Sequence, residues 1–433
     1  MYIICHYAEI ALKGKNRKLF EEKLVGNIKS ALSPTFFKYI KRISGRIIIE
    51  LKDKIKSEKE FEKITGKLKN VFGLSHFSFA EKCSQDIEEI QKKSLEMLEK
   101  TLEKNKGAFW DDRPKTHPYL DLEKSDLKTK IESVKKVEPT KIKTFKVETQ
   151  RSEKDFYLTS PQINEKVGEF ILNNLNKKND WVKPSHLKVD LKNPDIIVFI
   201  EIVEKYTFVY SEKIPGPGGL PVGISGRAIS LISGGIDSPV ASFLTMKRGV
   251  EIIFVHFIIN QSPIEKIKRI VQVLTKFQNQ SKLYLVPFQE VQKEILEKGK
   301  EKLRCLLCKR AMLEIAEDIA KKEKIKTLIT GENIGQVASQ TLENLNVIGS
   351  KTNLLILRPL SGLDKLEIIG LAKKIGTFEI SILKEEGCPI VPKHPETKAN
   401  LGDVEENEKN IKKPRPFLRP DILKFNLKWD NTR

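Results

Sequence analysis

The strongest constraint on the fold is a glycine turn that lies between a strand pattern and a helical pattern. Residues 231–241 read LISGGIDSPVA, and alternating apolar strands and helices continue after them. Candidate strands are AISLIS, EIIFVHF, KLYLVPF, TLITGE and LLILRPL. Strands that alternate with helices form parallel sheets with crossover helices, so the sequence predicts an α/β domain over residues 224–400.

The glycine turn is typical of a phosphate-binding loop. Gly234 and Gly235 carry no side chain, so backbone N–H groups can point at phosphate oxygens, and Ser233 and Ser238 add hydroxyl groups. Pro239 suits the first turn of the helix that follows, where its missing N–H is no loss. The alternative is a glycine-rich turn with a purely structural role, which many α/β domains contain.

Asp237 is the unusual member of this loop, because a carboxylate repels phosphate. It fits beside phosphates if it helps to hold Mg²⁺, which then bridges the phosphate oxygens. The order Ser-Gly-Gly-x-Asp-Ser resembles the signature of the PP-loop ATP pyrophosphatases. That resemblance implies cleavage of ATP between its α- and β-phosphates, with AMP attached to an oxygen of the substrate.

The rest of the chain divides by composition. Residues 1–58 are predicted to form a small α+β domain and residues 59–212 a second domain. The second domain contains a charged, proline-punctuated stretch at about 104–141, which is typical of a surface insertion. Residues 213–223 form a linker rich in proline and glycine, and residues 401–433 form a C-terminal tail.

Composition and charge restrict the class of protein. The 433 residues are 39% hydrophobic, and no apolar run approaches the ~20 residues of a membrane helix. The N-terminus lacks the features of a signal peptide, so we expect a cytoplasmic protein with no membrane partner. The net charge of +20 favours a polyanionic partner such as nucleic acid. The alternative is a lysine-biased composition that only keeps the surface solvated.

Three of the five cysteines lie in the predicted α/β domain. An odd count of cysteines in a cytosolic chain argues against a disulfide framework. Cys305 and Cys308 are spaced to lie on one helix face, and Cys388 follows far downstream. Two core cysteines, half of a zinc site and part of an iron–sulfur site are the structural alternatives for the pair. Cys5 and Cys83 are interpreted as residues without a chemical role.

Motifs along nearly the whole chain resemble the tRNA 4-thiouridine synthetase family, the tRNA sulfurtransferases. They are EIALKGKNRKLFEEKL, TFKVETQR, SPQIN, VDLKNPD, EKIPGPGGLPVGISG, LISGGIDSPVASFLTMKRGVE, TGENIGQVASQTLENL, LRPLSGLDK and VPKHPETK. The resemblance implies a multi-domain α+β and α/β protein. Its parts would be a ferredoxin-like N-terminal domain, a THUMP RNA-binding domain and a PP-loop domain with a Rossmann-like parallel sheet.

The resemblance also implies the site residues. Those expected to bind ATP are Leu231, Ile232, Ser233, Gly234, Gly235, Asp237, Ser238, His256, Phe257, Lys309, Gly331 and Gln340. Asp237 and Cys388 are expected to be catalytic. From the residue alone, a core or strand-end role is the alternative for His256.

Basic residues of the first two predicted domains are candidates for tRNA contact. They are Lys13, Lys15 and Arg17 in one turn, and Lys146, Arg151 and Lys154 near Phe156 in another. Cations beside an aromatic ring suit an RNA backbone and an exposed base. The alternative is a pair of solvated charged turns.

Sulfur delivery has two interpretations. Many members of the family carry a C-terminal rhodanese domain, for which these 433 residues leave no room. The resemblance to Fe–S-dependent tRNA thiolases implies a [4Fe–4S] cluster on Cys305, Cys308 and Cys388 that leaves one iron free to bind sulfide. A persulfide on Cys388 is the alternative.

The predicted function is ATP-dependent conversion of a tRNA uridine, at position 8, to 4-thiouridine through an adenylated uridine. The sulfur donor is a cysteine desulfurase or free sulfide, a homodimer is expected from the family, and a role in thiamine synthesis is left open. The alternative functions are another PP-loop tRNA-modifying enzyme acting at a different position and a non-catalytic tRNA-binding module.

Overall fold

The computed structural model describes most of the chain. The described residues are 1–53, 55, 57–107, 144–152, 155–177, 187–259, 264–384, 387–411 and 423–428, without the side chains of residues 104–107 and 176–177. Most of the insertion predicted at 104–141 lies outside the described residues, as does Lys154.

The strands are numbered in chain order. They are β1 Tyr2–His6, β2 Phe37–Ile43, β3 Arg46–Leu51, β4 His76–Cys83, β5 Thr144–Arg151, β6 Lys188–Val189, β7 Ile196–Val203, β8 Tyr206–Tyr210, β9 Ile214–Pro215, β10 Arg227–Leu231, β11 Glu251–Ile258, β12 Gln280–Pro287, β13 Thr327–Ile329, β14 Leu355–Leu357 and β15 Leu423–Lys428.

The helices are α1 Arg17–Ala31, α2 Glu58–Leu68, α3 Ile87–Gly107, α4 Ser160–Lys177, α5 Asp237–Lys247, α6 Ile264–Thr275, α7 Gln289–Lys298, α8 Arg304–Glu323, α9 Leu342–Gly349, α10 Lys365–Ile375, α11 Phe378–Ser381 and α12 Leu401–Lys409. Short 3₁₀ helices lie at Glu9–Asn16, Glu301–Leu303 and Ala338–Gln340.

The chain forms two compact units. The first contains Met1–Cys5, Lys38–Asp53 and Phe77–Ile214. The second contains His6–Phe37, Lys54–His76 and Pro215–Arg433. Both units are therefore discontinuous along the chain.

The first unit is built on a mixed sheet. Its strands follow the order β2-β3-β1-β4-β8-β7-β5-β6, and β9 also pairs with β4. The central pair β5 and β7 is parallel, whereas β7 and β8 are antiparallel. Arg46 on β3 and Glu201 on β7 form a buried ion pair, although three strands separate β3 from β7 in the sheet. The sheet is therefore strongly curved.

The second unit contains the predicted parallel sheet. Its order is β14-β13-β10-β11-β12-β15, with only β15 antiparallel. The chain proceeds from β10 outward through β11 and β12, then returns to place β13 on the other side of β10. In such sheets the crevice at this topological switch point, at the carboxyl ends of the strands, is the usual ligand site.

Helices cover both faces of the parallel sheet. One core contains Leu306, Leu307 and Ala311 of α8, and the other contains Val240 and Ala241 of α5. Sequence periodicity correctly predicts these strands and helices. It does not predict that the chain after residue 400 contributes α12 and the edge strand β15.

The N-terminal strand is shorter than its apolar pattern suggests. The sequence predicts a strand over residues 2–12 and a turn at residues 13–15. The structure ends β1 at His6 and continues with the 3₁₀ helix Glu9–Asn16. Gly14 has a φ of 50° within that helix, so it interrupts the helical backbone.

Across the described parts of the chain, each helix is too short or too polar to cross a lipid bilayer.

Candidate functional site

A cavity of about 430 Å³ opens at the switch point of the parallel sheet. Its walls include every residue that the sequence predicts to bind nucleotide, namely Leu231, Ile232, Ser233, Gly234, Gly235, Asp237, Ser238, His256, Phe257, Lys309, Gly331 and Gln340. Cys388 lines the same cavity. The same cavity is therefore lined by the glycine loop, by the aromatic side chains of His256 and Phe257, by the Lys309 ammonium group and by the Cys388 thiol.

The glycine loop is shaped by hydroxyl groups within it. The Ser238 hydroxyl accepts from the Ser233 backbone N–H at 2.8 Å, and the two hydroxyl groups lie 2.9 Å apart. The Ser381 hydroxyl donates to the Gly235 carbonyl at 3.2 Å. These bonds connect the loop to the start of α5, whose first residues Asp237 and Ser238 line the cavity. The first N–H groups of a helix have no partner within the helix, so they are available to an anion.

Gly331 follows β13 and lies directly against the start of α5. A Cβ atom at this position would be 2.6 Å from the Ser238 nitrogen and 2.7 Å from the Ser238 Cα. Both are backbone atoms that cannot rotate away. The close approach of the segment after β13 to the start of α5 therefore requires glycine.

His256 and Phe257 end β11 beside the loop. His256 is 7% exposed, and its Nδ1 lies 2.9 Å from the Ile232 carbonyl, which joins the ends of β10 and β11. Phe257 is buried and packs edge-on against Phe288. Both side chains form a rigid wall of the cavity. His256 is thus a buried residue at a strand end, and it also lines the cavity in which it is predicted to bind ATP.

A buried carboxylate holds two cations at the cavity. Glu332 accepts from Lys309 Nζ at 2.9 Å, from Arg358 Nε at 2.9 Å and from the Thr330 hydroxyl at 3.0 Å. Burial raises the pKa of Glu332, but the Lys309 charge and the hydrogen bonds of both cations hold it below its usual value. Glu332 is therefore a fixed anion within the wall.

Asp237 has two partners that the sequence does not predict. Its Oδ1 lies 2.5 Å from Lys365 Nζ, and its Oδ2 accepts from Gln336 Nε2 at 3.0 Å. Lys365 begins α10, which a capping box of Asp364 and Glu367 starts. Lys365 belongs to the motif LRPLSGLDK, but no local sequence pattern predicts that it pairs with an aspartate 128 residues away.

Gln340 lines the same cavity and contributes a buried hydrogen-bond acceptor, its Oε1. Gln340 is 9% exposed, and among the described residues its Oε1 has no hydrogen-bond partner. Buried polar atoms are almost always satisfied, so an unsatisfied acceptor in a cavity wall indicates a ligand donor.

The three cysteines of the second unit influence one another. Cys305 and Cys308 lie in the first turns of α8, as predicted. Burial, and then the Cys388 and Cys305 thiols, raise the pKa of Cys308 to about 12. Burial and Cys388 also raise the pKa of Cys305, against the Lys309 charge. Cys388 is exposed and accepts from Gln292 Nε2 at 3.6 Å.

This donor set has the chemistry of a cluster site but not a converged geometry. Three thiols near one another are the ligands that iron–sulfur clusters take. Within the described residues, however, no three cysteine, histidine or carboxylate side chains converge as metal ligands. Cys388 lies in an irregular segment, unlike the two helical cysteines.

Cys5 and Cys83 lie elsewhere and are both buried. Burial raises the pKa of Cys5 far above its usual value and that of Cys83 to about 12. Neither thiol is close to the nucleophilic thiolate form at neutral pH.

The residues predicted to contact RNA have varied surroundings. Arg17 donates to Tyr7 Oη at 2.7 Å and to Glu21 at 2.9 Å. Lys13 lies 5.3 Å from the centre of the Phe20 ring, and Lys15 is exposed.

The second predicted RNA cluster is tied into the first unit. Lys146 pairs with Glu148 at 2.9 Å, and Arg151 donates to the carbonyls of Phe156 and Leu158. Phe156, the aromatic residue near these cations, is only 8% exposed and packs in the core.

Three family models match the chain. The ThiI ferredoxin-like domain matches residues 2–78, the THUMP domain matches residues 121–212, and thiamine biosynthesis protein (ThiI) matches residues 223–413.

Curated relatives match along nearly the full chain. A probable tRNA sulfurtransferase of Thermoanaerobacter pseudethanolicus is 39% identical over 94% of this chain and 95% of its own. A probable tRNA sulfurtransferase of Finegoldia magna is 36% identical over 95% of this chain and 94% of its own. A crystal structure of a 4-thiouridine synthetase–RNA complex with bound ATP superposes with a TM-score of 0.76 at 34% identity, covering 95% of this chain and 94% of that one.

The parallel sheet and the Ser-Gly-Gly loop at its switch point define a PP-loop α/β protein, preceded by ferredoxin-like and THUMP domains. The chain belongs to the ThiI family of tRNA sulfurtransferases, and it is an enzyme of that class.

Proposed function

We propose that this enzyme uses ATP to convert a uridine of tRNA, at position 8, to 4-thiouridine through an adenylated uridine. One observation carries the proposal: the predicted nucleotide residues and the Cys388 thiol line a single cavity. Adenylation takes place on the uridine O4 and sulfur transfer on C4, the carbon bonded to it, so the groups for both steps have to share one site.

The first step is adenylation. The uridine O4 attacks the α-phosphate of ATP, and pyrophosphate leaves. The backbone N–H groups of the Ser233–Ser238 loop and the N-terminus of α5 stabilise the charge that develops on the phosphates. Lys309 lines the cavity, and Lys365 pairs with Asp237, which also lines it. Both ammonium groups add positive charge near the phosphates. Mg²⁺, held in part by Asp237, would neutralise phosphate charge further.

The second step is sulfur transfer. A sulfur nucleophile attacks C4 of the adenylated uridine and displaces AMP, which leaves as a stable anion. The exposed Cys388 at the cavity wall is the group of this chain that can deliver sulfur there. In the cluster route Cys388 would instead be a ligand, with Cys305 and Cys308, of a [4Fe–4S] cluster that would supply an iron site for sulfide.

The partners follow from this chemistry. The substrate is tRNA; the RNA complex of the similar 4-thiouridine synthetase structure and the THUMP match support this. Sulfur comes from a cysteine desulfurase or from free sulfide, and the enzyme acts in the cytoplasm. A homodimer is also proposed.

A reconstituted reaction tests the proposal. Purified protein, ATP, Mg²⁺, a tRNA transcript and sulfide should yield 4-thiouridine in digested tRNA and an equal amount of AMP. Asp237→Asn should lose both products, whereas Glu343→Gln, an exposed carboxylate on α9, should keep them. Absence of both products with the wild-type enzyme contradicts the proposal.

Metal content tests the cluster. Anaerobically purified protein should be brown and contain iron and sulfide. Serine variants of Cys305, Cys308 or Cys388 should each lose iron, whereas Cys83→Ser should retain it. Colourless, iron-free protein that is fully active with a cysteine desulfurase and cysteine as the sulfur source would rule out the cluster and favour the Cys388 persulfide.

A further inference from the structure

Three lysines of the first unit converge on one tyrosine. Lys41 Nζ on β2 donates to Tyr206 Oη at 3.0 Å and lies 4.5 Å from the Tyr206 ring centre. Lys82 Nζ on β4 is also 4.5 Å from that centre, and Lys205 Nζ is 6.0 Å away. The curvature of the sheet makes this possible, because three strands separate β2 from β8.

Among the described residues, these cations lack the carboxylate partners that several lysines of this unit have. In the part of the chain that the structure describes, the ammonium groups of Lys41, Lys82 and Lys205 form no ion pair with a carboxylate. By contrast, Lys38 pairs with Glu50 and Asp53, and Lys146 pairs with Glu148. Three like charges around one ring repel each other, so an anion placed among them is strongly favoured.

The ring of Tyr206 attracts the ammonium groups of the three lysines. A cation over an aromatic face is attracted by the ring quadrupole, which partly offsets the repulsion. The Lys41 hydrogen bond and the charges of the three lysines lower the pKa of Tyr206, as expected where positive potential is concentrated. The cluster is therefore a pre-oriented anion site.

An accessible aromatic ring adjoins this site. Tyr39 precedes Lys41 by two residues, so both side chains leave the same face of β2. Lys41 Nζ lies 5.3 Å from the Tyr39 ring centre, and Tyr39 is 36% exposed. Cations that bind phosphate beside a ring that can stack on a base are the two features of single-stranded RNA sites.

We propose that Lys41, Lys82 and Lys205 bind the phosphates of an unpaired RNA segment and that Tyr39 stacks on one of its bases. The inference rests on the proposed function for the nature of the polymer, since tRNA is the RNA that this enzyme would meet. It assigns recognition to residues other than the basic turns that the sequence suggests. Duplex RNA, whose bases are stacked inside the helix, has no base to offer Tyr39.

Two labelled RNAs and matched variants test this assignment. The probes are an eight-nucleotide single strand and a blunt ten-base-pair duplex, and the Kd of each is measured by fluorescence anisotropy over a range of KCl. The triple variant Lys41→Gln, Lys82→Gln, Lys205→Gln removes the cations. The control Lys322→Gln, Lys326→Gln, Lys374→Gln removes the same charge from exposed positions of the second unit.

The triple variant should raise the Kd of the single strand at least tenfold and reduce the salt slope by about 2, because each lost contact on a single strand is worth roughly 0.7. Tyr39→Leu should raise the same Kd about fivefold with no change in salt slope, because stacking is not ionic. The control triple and the duplex probe should change by less than twofold. Circular dichroism should show that all variants are folded.

Three outcomes overturn the inference. Equal losses in both triples would show an effect of net charge alone. Equal losses for the duplex would assign the lysines to a helical backbone, and an unchanged Kd for Tyr39→Leu would remove the base contact. Failure of the proposed function is distinguishable from these outcomes. In that case the wild-type enzyme makes no thiouridine, although the triple variant still binds the single-stranded RNA more weakly than the wild type does.

Discussion

A single glycine decides how closely the segment after β13 approaches the start of α5. Gly331 has no side chain, and any side chain there would clash with the backbone at the start of α5. The sequence marks this position only as part of a TGE motif. The physical reason for glycine becomes visible only when the end of β13 and the start of α5 are placed side by side.

Gly331→Ala should weaken ATP binding about tenfold and lower the melting temperature by several degrees, because overpacking against fixed backbone typically costs about 1–3 kcal/mol. Isothermal titration with ATP and thermal unfolding would measure the two effects. Gly362→Ala is the control, since a Cβ there meets nothing within 4 Å. Equal behaviour of the two variants would contradict the close packing.

Glu332→Gln should separate kcat from KM. Loss of the negative charge leaves Lys309 and Arg358 unopposed, so KM for ATP should stay constant or fall. The Lys309 ammonium also loses its fixed partner, so kcat should fall about tenfold. Steady-state AMP release at saturating tRNA measures both. A raised KM with an unchanged kcat would show that Glu332 serves only ATP binding.

Local motifs predict which residues line the cavity better than they predict how those residues pair. The twelve residues predicted to bind nucleotide line one cavity, and they belong to motifs whose local context is informative, such as a glycine loop between a strand and a helix. The pairs Asp237–Lys365 and Glu332–Arg358 join residues far apart in the chain. Their partners depend on tertiary placement, which no local pattern encodes.

At the scale of elements, α8 supports the chemistry at the cavity. It carries Cys305, Cys308 and Lys309, and its Arg310 is 2% exposed. Arg310 donates to both carboxylate oxygens of Glu408 on α12, at 2.9 Å and 3.1 Å. The helix after residue 400 therefore fixes the position of the helix that presents the cysteines.

Arg310→Ala should lower the free energy of unfolding by about 3–5 kcal/mol, because removal of one member of a buried ion pair leaves the other charge without its main partner. Urea denaturation measures the change. Lys321→Ala breaks an exposed pair with Glu317 on the same helix and should change stability by less than about 1 kcal/mol. Similar losses for both variants would contradict a clamp between α8 and α12.

Elements are predictable where periodicity is long and strong. The residues of β10, β11 and β12 form apolar runs that the sequence assigns to a parallel sheet. β15 reads LKFNLK and is largely exposed, so its pattern differs little from a polar loop. It is a strand because β12 offers an open edge, and that edge is a property of the sheet.

At the scale of the whole molecule, the net charge of +20 should govern tRNA affinity. The Kd for a tRNA transcript should rise about 10³-fold between roughly 0.05 and 0.2 M KCl, as for proteins with six or more phosphate contacts. Filter binding at several salt concentrations gives the slope, and the Kd for ATP serves as the comparison. A slope near zero would show that ion release contributes little.

The antiparallel pairing of β12 with β15 has a consequence for synthesis on the ribosome. β12 leaves the exit tunnel long before β15 is translated, so the nascent sheet keeps an unpaired edge during that interval. Slow translation through the intervening codons would lengthen the exposure of that edge to other chains. The yield of properly folded enzyme should therefore depend on elongation speed in the last third of the message.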